Sequence, residues 1–92
     1  MPVGADNVIL WSGNHVGHHA RIERDSFVSS HVVISGFTAI GRAAFLGVNA
    51  TIANTVTIGD NCTIAAGALV LGDVPDGTTV VVHPGDTLTD GA

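Results

Sequence analysis

Ninety-two residues leave room for one domain, and the charge they carry is sparse: three arginines, no lysine, eight acidic residues and a net charge of -5 with histidines neutral. That balance offers no electrostatic footprint for nucleic acid or for an anionic membrane, so neither partner is expected. Hydrophobic residues make up 46% of the chain and charged ones 12%. A chain this short buries little of its own surface, so an uncharged outer face of that size predicts subunit contacts. No signal peptide or membrane-length apolar run is legible, and the single Cys62 has no intramolecular partner. The expected compartment is the cytoplasm.

Residues 1–7, with Pro2, Gly4 and Asp6, read as an irregular lead-in. From Leu10 to Val70 an aliphatic residue then recurs at every sixth position: Leu10, Val16, Ile22, Val28, Ile34, Ile40, Leu46, Ile52, Ile58, Ile64 and Val70. Four residues after most of these rungs stands a smaller one, such as Ala20, Ser26, Thr38, Ala44, Ala50, Cys62 or Ala68. A helix turning every 3.6 residues cannot keep a six-residue repeat on one face. Gly17, Gly41, Gly47 and Gly59 follow rungs directly, where the backbone must bend. The pattern is short strand, turn, short strand, repeated as a solenoid. Cys62 falls on a small interior rung and is read as core.

The stretch 8–25 departs from the pattern, with Trp11 in place of a small turn residue and Asn14 in a small interior slot. Residues 26–61 are the most regular. Asp73-Val74-Pro75-Asp76-Gly77 breaks the period, and 78–82 reads as a last strand. The expected division is a lead-in over 1–7, the repeat domain over 8–75, and a C-terminal strand and tail over 76–92.

The hexad pattern over roughly residues 8–82 resembles the left-handed parallel β-helix of the hexapeptide-repeat acyltransferases. The resemblance implies an all-β solenoid of about four triangular coils, three hexads to a coil, assembled as a homotrimer. With 18 residues to a coil, three interior columns follow: Leu10, Val28, Leu46, Ile64; Val16, Ile34, Ile52, Val70; and Ile22, Ile40, Ile58. Sugar acetyltransferases of this type usually carry a nucleotide-binding α/β domain before the β-helix. This sequence has no such domain, which implies either a shortened chain or another protein that supplies it.

The segment Gly17-His18-His19-Ala20-Arg21-Ile22 resembles the one that carries the catalytic histidine in sugar acetyltransferases related to sialic acid O-acetyltransferase and the nucleotide-sugar N-acetyltransferases. The resemblance places His18 as general base, taking a proton from a sugar hydroxyl or amine. The family commonly has a carboxylate at the next position, and His19 stands there instead. His15 is the rival base, and Asn14 and His31 are the expected substrate contacts. His18 and Gly36 share one corner of the triangle, while Ser30, Val48 and Ala66 share another. By the same resemblance acetyl-CoA is the acyl donor and lies between corners of two subunits, against Phe27, Gly36, Val48 and Ala66. The chain has no basic residue after Arg42, so the CoA phosphates must find a cation on a neighbouring subunit or bind weakly. His83, beside Pro84, reads as surface.

The expectation is an acetyl-CoA-dependent transferase acting on a hydroxyl or amine of a sugar, nucleotide-linked, in bacterial surface-polysaccharide synthesis. Two rivals stand beside it. The γ-class carbonic anhydrases share the β-helix, but their histidine ligand spacing is not matched by His15, His18, His19 and His31, so no metal is expected. The other rival is a non-catalytic β-helix scaffold.

Overall fold

Each hexad folds the same way because its six positions do different jobs. Two residues form a strand, the first facing out and the second, the aliphatic rung, facing in. A bend and two turn residues follow, and then a small inward residue. The computed structural model describes residues 7–82. The lead-in over 1–6, the tail over 83–92 and the surface reading of His83 lie outside the described residues.

Twelve two-residue strands stack as three parallel sheets. The first sheet runs β1 (Ile9–Leu10), β4 (Phe27–Val28), β7 (Phe45–Leu46), β10 (Thr63–Ile64), β12 (Thr79–Val80). The second contains β2 (His15–Val16), β5 (Val33–Ile34), β8 (Thr51–Ile52) and β11 (Leu69–Val70). The third contains β3 (Arg21–Ile22), β6 (Ala39–Ile40) and β9 (Thr57–Ile58). Each strand from β1 to β8 pairs with the strand three places on, and β12 pairs with β10; the chain winds as a left-handed β-helix of about four coils.

The columns read from the hexads are the observed registers: Val28 opposite Leu46, Ile34 opposite Ile52, Ile40 opposite Ile58. The central rungs are fully buried, as are the small residues between them from Ala20 to Ala68. Full burial of an isoleucine is worth about 1.5–3 kcal/mol, so the stacked columns are the main source of stability. The polar small rungs are satisfied. Ser26 Oγ donates to the Gly41 carbonyl at 2.8 Å and accepts the Ala44 N–H at 3.2 Å; Thr38 Oγ1 donates to the Ala53 carbonyl at 3.1 Å. Cys62 is buried, its thiol donating to the Pro75 carbonyl at 3.0 Å.

The break at 73–77 turns out to be a shortened hexad. Val74 bridges Ile58, and β12 pairs with β10 as Thr63 opposite Thr79. Both pairings are offset by 16 residues, against 18 elsewhere, so two residues are missing and the columns still continue through Val74 and Val80. The strand at Thr79–Val80 is therefore part of the coil stack. In the first coil, Asn14 fills its slot as a hydrogen-bonding plug: its amide nitrogen donates to the Trp11 carbonyl at 2.8 Å and its oxygen accepts the Val32 N–H at 2.9 Å.

Candidate functional site

His18 and His19 occupy the turn between β2 and β3, at the corner where the second and third sheets meet. Gly36 and Asn54 stand one and two coils further on at the same corner. Gly17, just before this turn, explains how tightly the coils close there: a Cβ on it would lie 2.6 Å from the Gly36 nitrogen. Both His15, on the outer face of β2, and His18 are exposed. They open on one hollow of about 510 Å³, shared with Val33, Gly36, Phe37 and Asn54. Chemically this gives a groove lined by two imidazoles, by the aliphatic Val33 and the aromatic Phe37, and by the amide of Asn54. Imidazoles so exposed can accept and return a proton without leaving water contact.

The other expected site residues lie elsewhere. His31 and Asn14 belong to the corner between the first and second sheets, away from the groove, with the His31 ring against the backbone of Gly13. The polar atoms of Asn14 are committed to Trp11 and Val32. Phe27 projects from the first sheet, where it stacks on Phe45 at 5.5 Å and meets Trp11 at 5.8 Å. Val48 and Ala66 are exposed at the first-to-second corner. One chain therefore brings His15, His18 and Gly36 together and leaves Phe27, Val48 and Ala66 on a different edge.

The Gly36 N–H donates to Asn54 Oδ1 at 3.2 Å. The residue below Val48 is Ala66, which has no side-chain acceptor to offer its neighbour's N–H. Phe37, Asn54, Ser35 and Thr55 line the groove and escaped the sequence reading. The one signal that could have found them is their spacing from His18, His19 and Gly17: 18 residues, one coil, for Ser35 and Phe37, and 36, two coils, for Asn54 and Thr55. Among the described residues, no three His, Cys, Asp or Glu side chains converge so as to hold a metal ion, and no helix is long and apolar enough to cross a membrane.

Residues 37–72 match the bacterial transferase hexapeptide family, six repeats. The chain is 34% identical over 84 residues to a putative acetyltransferase, YvoF, of Bacillus subtilis, covering 91% of this chain and 44% of that protein. It is 43% identical over 54 residues to the bifunctional protein GlmU of Stenotrophomonas maltophilia, covering 59% of this chain and 12% of that one. In three dimensions it resembles a mutant perosamine N-acetyltransferase from Caulobacter crescentus, crystallised with CoA and GDP-perosamine. The TM-score is 0.68 at 24% identity, over 90% of this chain and 49% of the other. The chain thus spans less than half the length of each of these proteins, and the last likeness speaks for the fold.

Proposed function

We propose that this hexapeptide-repeat chain moves an acetyl group from acetyl-CoA to a hydroxyl or amine of a sugar, with His18 as the general base. The observation that carries the proposal is the exposed His18 at the lip of a groove it shares with His15 and Gly36, in a chain whose relatives include a putative acetyltransferase. In this reading His18 removes the acceptor proton as oxygen or nitrogen attacks the thioester carbon; the C–S bond breaks and the proton passes to the departing thiolate. His19, where a carboxylate is usual in the family, leaves His18 without an anionic orienting partner. A nucleotide-linked acceptor and a role in surface-polysaccharide synthesis belong to the same reading, as does a cytoplasmic location.

The proposal includes a homotrimer. Gly36 lies at one corner of the triangle, and Val48 and Ala66 at another, so only a second copy can bring the full cofactor set, Phe27 included, to one groove. Exposed Phe45, Val48 and Leu71 give such contacts apolar area. Sedimentation at micromolar concentration is expected to give three chains per particle, and a monomer would remove the shared site.

The direct test is release of free CoA thiol from acetyl-CoA in the presence of amino and neutral sugars, free and nucleotide-linked. Acceptor-dependent release supports the proposal; a trimer that binds acetyl-CoA without release for any acceptor class refutes it. The rival reading is a non-catalytic β-helix scaffold. Calorimetric titration with acetyl-CoA distinguishes it, since a scaffold shows no heat of binding.

A further inference from the structure

The left-handed turn positions differ in kind from corner to corner. At the corner between the first and second sheets they are Gly13, His31, Asn49 and Gly67; at the corner between the third and first they are Asn7, Asp25, Ala43, Asn61 and Gly77. Glycine, asparagine and aspartate tolerate φ near +60° best. At the corner of His18 the three residues are His19, Phe37 and Thr55, with φ of 60°, 58° and 62°. Histidine is among the residues that accept this region, but Phe37 is bulky and Thr55 is β-branched, and both are outliers there. Strain of this kind concentrates where a side chain is kept for what it does.

Phe37 is the most telling of the three. The residue is 64% exposed, so it contributes little to the core. It stacks on His19 with centroids 5.0 Å apart and an interplanar angle of 25°, and it lines the groove of His18. Two stacked rings present a flat aromatic surface beside the proposed base, with the Asn54 amide and the Ser35 hydroxyl on the same groove. A pyranose ring is the matching shape. One face of it is a patch of polarised C–H bonds that suits the electron-rich face of an aromatic ring, and its rim carries hydroxyls for the amide and hydroxyl to meet.

We infer that Phe37, backed by His19, is the platform on which the pyranose ring of the acceptor stacks. The inference rests on the acetyltransferase reading for the identity of that sugar, but its test does not. Methyl glycosides of glucose, galactose and mannose, titrated into the full chain, serve as probes, with the aromatic ring protons followed by NMR. At least one glycoside is expected to shift the Phe37 ring signals saturably and to receive saturation from them through its own C–H protons. Phe37→Asn removes the ring and suits the left-handed backbone, so the melting temperature should hold or rise while affinity for that glycoside falls roughly three- to tenfold. Phe37→Trp should retain binding. A ring of merely structural value would give the reverse, a lower melting temperature with affinity unchanged. The inference is overturned if no glycoside perturbs the Phe37 ring, or if Phe37→Asn binds as well as the parent. Failure of acetyl transfer with glycoside binding intact would instead overturn the proposed function and leave the platform standing.

Discussion

Asp60 holds Arg42 of the adjacent coil by three hydrogen bonds, accepting its backbone N–H at 2.8 Å and its guanidinium Nε and Nη2 at 3.3 and 3.1 Å. The next turn repeats the device, with the Asp60 N–H donating to Asp76 Oδ1 at 2.8 Å. Carboxylates thus cap turn amides that have no partner within their own coil.

The Arg42 backbone N–H, followed by its guanidinium, lowers the Asp60 carboxyl below its ordinary value of 3.8. A carboxylate whose folded value is depressed stabilises the fold above its unfolded value and loses that contribution as pH falls through the folded one. The melting-temperature gap between the parent and Asp60→Asn is therefore expected to be constant above about pH 5 and to shrink as pH drops below the ordinary aspartate range. A gap that widens on acidification contradicts the assignment.

Ile52 lies between Ile34 and Val70 in the second column and is fully buried. An unpaired charge there costs several kcal/mol, a large share of the roughly 5–15 kcal/mol that holds a domain together. Ile52→Asp is expected to show no cooperative melt by circular dichroism, while Ile52→Val costs about 0.5–1.5 kcal/mol. A soluble, cooperatively melting Ile52→Asp protein would be incompatible with this register.

A Cβ on Gly47 would lie 2.5 Å from the Ala66 nitrogen, whereas one on Gly36 would meet nothing closer than the His18 carbonyl at 3.3 Å. Gly47→Ala must push backbone from backbone and is expected to cost about 1–3 kcal/mol. Gly36→Ala should cost no more than about 0.5 kcal/mol. Denaturant titration of the two variants decides the order, and equal costs would mean the coils are not this close.

His18→Ala should leave the melting temperature nearly unchanged, because the side chain is exposed and outside every column. Loss of a positioned base costs about 10² to 10⁴ in rate, falling on kcat more than on the KM for acetyl-CoA. His15→Ala, in the same groove on a strand, is the comparison. Full activity in His18→Ala with a loss in His15→Ala would move the base to His15, and unaltered turnover in both would rule out histidine base catalysis here.

The sequence by itself determined the coil. A six-residue period is a local property, so Leu10 through Val70 announce their columns without knowledge of any contact, and the small rungs and bends repeat with them. The turn position of His18 was legible for a similar reason, since a residue four places before a rung falls in a turn, whereas a role for it came from the resemblance alone. The tertiary structure decided what meets across coils. Val74 takes up the third column because a coil can lose two residues from a turn and still stack, a fact invisible to a pattern that counts by six. Asn14 proved to be a plug, and Asn54 took the Gly36 N–H, because each hydrogen bond joins residues 18 apart whose side chains meet only once the coils are wound. Phe37 showed in the sequence only as the residue 18 places after His19; its left-handed backbone angle and the stacking of its ring on His19 appear only once the coils are wound.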